Sequence, residues 1–150
     1  MKLQLFRVGD NWAGLILRLT LGLVMFPHGA QKVLGWFGGP GFTKEMHHLS
    51  VDMQLPWVVS FLVIVIEFLG SISLILGFAI RIWAIAFFFL FAGIILTAHL
   101  EYGFFMNWAG VQAGEGFEYH LLVLGICVAL YFSQSGSFDI VRANSVLKKS

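Results

Sequence analysis

Apolar residues run through this chain in four long blocks, separated by polar, glycine-rich connections. A helix needs roughly 20 mostly apolar residues to cross about 30 Å of hydrocarbon at 1.5 Å per residue. Residues 12–34, 57–77, 82–99 and 117–132 meet or approach that measure, the last being the shortest. The pattern predicts an all-α membrane protein, a four-helix transmembrane bundle built as one domain over residues 1–150. Gly22, Gly70, Ser71, Ser73, Gly77 and Gly93 fall within or at the ends of the blocks. Small residues there let helix backbones approach one another.

The charges orient the bundle. Lys2, Arg7, Arg81, Arg142, Lys148 and Lys149 fall on the two tails and the turn between blocks two and three, all on one side of a four-span chain. The opposite connections hold Lys32 and Lys44 as their basic residues, with Glu45, Asp52, Glu101, Glu115 and Glu118 beside them. The positive-inside rule then predicts that both termini are cytoplasmic; the setting expected for this multi-pass protein is a bacterial inner membrane, which the charges themselves do not specify. The first block is interrupted by Arg18, His28 and Gln31, so it reads as a retained span, not a cleaved signal. The tails are too short for a soluble domain.

Between blocks one and two, Gly35, Gly38, Gly39, Pro40 and Gly41 break the helix, and Trp36, Phe37 and Phe42 suit the membrane interface. Residues 43–53 then predict a short interfacial helix with Thr43 as its N-cap. The connection over residues 100–116 repeats the mixture of aromatics, glycines and acids.

Composition narrows the function. Only 11% of residues are charged, against about a quarter in soluble domains, and a net charge of +1 provides no basic field for nucleic acid. The partners expected are therefore the lipid bilayer and a partner protein or second copy of the chain. The single cysteine, Cys127, excludes an intrachain disulfide, a Cys-x-x-Cys pair and a four-cysteine zinc site, and reads as a small core hydrophobe.

Ionisable groups at membrane depth are costly and usually face the bundle or a wet cavity. Taking each block's centre as zero, Glu67 falls near the midplane, with Arg18 roughly 8 Å to the cytoplasmic side and His28 roughly 8 Å to the outer side. Arg18 is then within reach of Glu67 as a structural counterion. His28, Gln31 and Lys32 share one face at helical spacing, just after Pro27. His99 and Glu101 lie two apart, as do Glu118 and His120, so at most one of each pair is expected to face the bundle; His99 and Glu118 are favoured. His28 and Glu67 emerge as catalytic candidates, with Arg18, Gln31, Lys32, Trp36, His99 and Glu118 as ligand-binding candidates. His47 and His48 read as solvated loop residues.

Several of these residues lie in segments that resemble the DoxX family of membrane proteins. Leu17-Arg18-Leu19-Thr20, Pro27-His28-Gly29-Ala30-Gln31-Lys32 and Gly35-Trp36-Phe37-Gly38-Gly39 are similar to the family's first span. Glu67-Phe68-Leu69-Gly70, Thr97-Ala98-His99-Leu100, Gly103-Phe104-Phe105 and Gly116-Phe117-Glu118-Tyr119 follow in the same order. The resemblance implies a four-helix membrane bundle in which Arg18, His28, Gln31, Lys32, Glu67, His99 and Glu118 occupy recurring polar positions. Family members include small subunits tied to quinone-linked oxidation of sulfur compounds such as thiosulfate, and others accompany dioxygenases, thiol-stress enzymes or copper-peptide pathways. His120 departs from the pattern, since many relatives carry an apolar residue there.

The leading expectation is thus a membrane subunit of a quinone-linked oxidoreductase system, with a quinone or small substrate bound in a polar pocket in the outer half of the bundle. No haem, flavin or iron–sulfur motif appears, so a partner or the substrate would supply the electrons. A second expectation is a non-enzymatic transporter or assembly partner. The third is a metal site from His28, His99 and Glu118, with Glu67 as a further ligand.

Overall fold

The computed structural model describes residues 12–133, so Lys2, Arg7, Arg142, Lys148 and Lys149 lie outside the described residues. Within these bounds the regular structure is entirely helical. Helix α1 is Trp12–Leu34 and α2 is the short Phe42–His47, prolonged by a π-helical turn over His48–Asp52. Helices α3 (Trp57–Leu76) and α4 (Ile80–Tyr102) follow, and like α1 they are long and apolar enough to cross a membrane. Helix α5, Glu118–Phe132, is apolar but has 15 residues, a length of about 22 Å.

Glycine sets the α1–α3 distance. A Cβ at Gly29 would lie 2.5 Å from Phe68 Cα and 2.7 Å from Glu67 C, so the two backbones touch at that level. Two turns along, Gly22 faces Ser71 O and Ile75 of α3 in the same way. On the opposite side of α3, Gly70 leaves room for Trp83 and Phe87 of α4. Helices α4 and α5 pack antiparallel, with Phe87 and Ala84 buried alongside Cys127 and Leu130. Outward positions such as Leu23, Ile82, Phe89 and Leu122 are exposed apolar side chains, the surface that lipid covers in a spanning helix.

The end of the molecule that carries the connections over residues 35–56 and 103–117 is called here the loop end. There the chain folds back over α1: Gly41 N donates to Gln31 O at 3.1 Å, satisfying a carbonyl that the helix end leaves open. The interfacial helix starts at Phe42 behind Gly41, and Thr43 lies inside its first turn without capping it. Gly41, at φ 76°, takes the turn that the expected threonine cap would have made.

Two further π turns interrupt the long helices, at Ile66–Gly70 in α3 and Ile95–His99 in α4. Each widens the helix by one residue and re-aims the side chains it contains. Glu67 lies in the first and His99 in the second.

Candidate functional site

A charged cluster forms at the loop end where α1, α2 and α3 meet. Lys32 Nζ donates to Glu67 Oε1 at 2.9 Å and lies 3.6 Å from Glu45 Oε1. Glu67 is 3% exposed, and its Oε2 is buried without a hydrogen-bond partner among the described residues. The buried stripe of α1 runs through Arg18, Leu21, Gly22, Met25 and Gly29. Lys32 stands at its edge, one turn above Gly29, and its long stem carries the ammonium across to α3.

Glu45 joins the site from outside the spans, and sequence reasoning left it among the outer-side acids. A signal existed. Glu45, Met46 and Leu49 are buried while Lys44, His47 and His48 are exposed, an amphipathic pattern that turns Glu45 toward the bundle.

The expected Arg18–Glu67 pairing does not form. Arg18 is buried lower on α1, where its Nη1 donates to Leu74 O at 2.9 Å and Ile75 O at 3.1 Å, carbonyls of the last turn of α3. A guanidinium there meets the negative end of the helix dipole and open carbonyls together. The contact of Gly29 with Glu67 fixes the register, which places Arg18 three turns below Glu67, roughly 16 Å along the axis.

The other candidates scatter. His28 is exposed on the flank of α1: one residue off the buried stripe is about 100° of rotation, and an imidazole is too short to reach back as Lys32 does. Gln31 Nε2 donates to Phe37 O at 3.4 Å, and Trp36 is exposed in the turn beyond it. At the junction of α4 and α5, His99 faces His120 with ring centroids 4.4 Å apart, and His120 also packs on Phe91. His99 Nδ1 donates to Glu115 O at 2.8 Å, which fixes its proton because a carbonyl only accepts. His120 is therefore the residue that meets His99, where Glu118 was favoured. Glu118 opens α5 and turns to the connection above it. Among the described residues, no three His, Cys, Asp or Glu side chains gather in a metal-holding group.

A DoxX family profile matches residues 13–100, from the start of α1 into the end of α4. The chain belongs to the DoxX family. It is also 29% identical, over 125 residues that make up 83% of each chain, to the Bacillus subtilis (strain 168) protein named "Putative oxidoreductase CatD". No solved structure matches it.

In this DoxX chain the connection over residues 103–117 is ordered by acids. Glu118 Oε1 accepts from Met106 N at 3.1 Å and from Trp108 Nε1 at 3.3 Å, and Glu115 Oε2 accepts from Asn107 N at 2.8 Å. Glu118→Ala should release Met106 and Trp108, at a local cost of about 1–3 kcal/mol. Faster hydrogen exchange at the Met106 amide and the Trp108 indole N–H would show it; unchanged exchange would mean that the connection is held by other contacts.

An open apolar groove of about 330 Å³ lies between α4 and α5, lined by Ala84, Phe88, Cys127, Val128 and Tyr131 among others. It sits in the halves of these helices remote from the loop end, so this groove and the charged cluster occupy different places. Its lining suits a hydrocarbon chain and offers little to a polar group.

Proposed function

We propose that this DoxX protein is a membrane subunit of a quinone-linked oxidoreductase system in a bacterial inner membrane, and that the cluster of Lys32, Glu67 and Glu45 meets the head group of a quinone or a small substrate. The observation that carries the proposal is the Lys32–Glu67 ion pair, whose carboxylate is buried and has one oxygen without a hydrogen-bond partner among the described residues, set in a largely apolar helical protein. Intramembrane ionisable groups of this kind mark substrate and proton pathways. The relative whose printed name describes an oxidoreductase favours electron transfer over transport.

A bound quinone would supply two-electron, two-proton redox chemistry. The chain's own residues fit the polar part of that task. Lys32 Nζ has three donor hydrogens; after Glu67 and Glu45 one remains for a ring carbonyl. Glu67 is the buried acid of the cluster, and Trp36 and Phe37, exposed at the loop end, offer aromatic faces to a planar ring. His28, on the flank of α1, is assigned to the contact with lipid or a partner protein. Electrons reach the site from that partner or from the substrate.

The test is mass spectrometry, with metal analysis, of the protein extracted gently from its native membrane. A quinone near one per chain, lowered in a folded Glu67→Gln variant, is the expected result. A folded protein with neither quinone nor metal would turn the assignment toward a transporter or assembly partner, and a stoichiometric metal would replace it with a metal site.

A further inference from the structure

We propose that the groove between α4 and α5 is a binding site for an anionic phospholipid, with one acyl chain in the groove and the phosphate on Arg81. Arg81 is exposed at the start of α4, and Ala84, Ile85 and Phe88 of the groove follow it three, four and seven residues on. At helical spacing those four positions form one stripe, so the charge stands at the end of the apolar slot, one turn beyond Ala84. The opposite wall is made by Cys127, Val128 and Tyr131 of α5. Because α5 runs antiparallel to α4, Tyr131 in its last turn comes level with the start of α4.

These parts match the order of groups along a lipid. A guanidinium holds a phosphate through two parallel N–H donors. Side chains of a helix lean toward its N-terminus, which carries the head of Arg81 past the mouth of the groove to head-group level while its stem lies on apolar surface. The phenol of Tyr131 adds an O–H donor at the same level. Below them the groove follows α4 from Ala84 to Phe89, roughly 8 Å along the axis. Its walls there are apolar, which suits the upper part of an acyl chain.

Charge selects the occupant. Among the described residues no carboxylate pairs with Arg81, and the first turn of α4 carries no acid. Glu45, Asp52, Glu101, Glu115 and Glu118 all belong to the loop end, and Glu67 is held by Lys32. Arg18, the other basic residue near this end, is buried and bonded to the carbonyls of Leu74 and Ile75. An uncharged polyisoprenoid tail gives Arg81 nothing to bind, and a quinone head at the Lys32 cluster would lie at the opposite end of the bundle. A basic position beside a slot between spans is where the head group of an anionic lipid is recognised. The site requires only that α4 and α5 face lipid, so it does not rest on the quinone reading.

Native mass spectrometry of the full chain in detergent, titrated with palmitoyl-oleoyl phosphatidylglycerol or with the phosphatidylcholine of the same chains, tests the proposal. Wild type should retain one phosphatidylglycerol per chain in preference to phosphatidylcholine. Arg81→Gln should lower that preference by about fivefold, whereas Lys44→Gln, at an exposed lysine of the loop end, should leave it unchanged. Val128→Trp fills the groove from a position that is itself 45% exposed, and should lower the retention of both lipids. Leu122→Trp, on the lipid face outside the groove, should not. If Val128→Trp does not accumulate, Ile85→Trp fills the slot from the α4 wall. Equal retention of the two lipids by wild type, an unchanged preference in Arg81→Gln, or an equal loss in Lys44→Gln overturns the role of the arginine. Retention by the groove-filling variant equal to that of wild type overturns the groove, and so does a quinone or a second copy of the chain that this variant displaces in place of lipid.

Discussion

Lys32→Met should destabilise the protein by about 3 kcal/mol, because it leaves the carboxylate of Glu67 buried without its counterion. The low end of the usual range applies since the Lys32 side chain keeps 22% exposure, and solvent weakens part of the pair's attraction. Glu67→Met in the same background should restore much of the loss, because an apolar pair of similar volume removes the buried charge altogether. Thermal unfolding of the two single variants and the double variant in one detergent gives the coupling directly. Additive single losses, or a Lys32→Met cost below about 1 kcal/mol, would show that the two side chains contribute independently and that the cluster is not an energetic unit.

Gly29→Val should be the most damaging single change in the α1–α3 contact. The first added carbon already meets Phe68 Cα at 2.5 Å and Phe68 N at 2.6 Å, atoms of a backbone that cannot swing aside. Overpacking of a filled core costs about 1–3 kcal/mol, and a backbone-to-backbone clash belongs at or above the top of that range. The damage extends to chemistry, because separating α1 from α3 at this level pulls Lys32 from Glu67. Gly29→Ala is expected to show the same effect at smaller size, while Gly93→Ala, where an added Cβ meets nothing within 4 Å, serves as the neutral control. Unfolding temperature and a cysteine cross-link between the two helices would check it; a stable Gly29→Val with the native cross-linking pattern would mean that the helices are not in the contact described.

The comparison of sequence with structure is most instructive at the charged residues. Hydropathy alone places the helices α1, α3 and α4, because covering a membrane thickness with apolar side chains is a local property of each segment. Lys32 and Glu67 were likewise legible as buried polar positions. What hydropathy could not supply was the register between helices. Estimating depth from the centre of each block put Arg18 and His28 at similar distances from Glu67, on opposite sides. In the fold Gly29 brings α3 level with the upper part of α1, so Lys32 takes Glu67 and Arg18 goes to the carbonyls of Leu74 and Ile75.

Spacing rules misjudged the α4–α5 junction for a related reason. An ideal helix separates His99 from Glu101, and Glu118 from His120, onto different faces, but does not say which member turns inward. The π turn at Ile95–His99 and the start of α5 at Glu118 decide it: His99 and His120 meet, and Glu118 binds the connection.

The sequence by itself determined that this is a helical membrane protein of the DoxX type with a few polar residues held among apolar ones, since periodicity, composition and local motifs are properties of the chain read in order. Only the tertiary structure decided which polar residues act together. Glu45 reaches Lys32 from a connection thirteen residues further along, and Glu67 reaches it from another helix. Their meeting depends on a glycine contact, a π turn and an amphipathic turn acting at once. Such contacts are set by the packing of whole helices, whose offset along their common axis no single segment encodes.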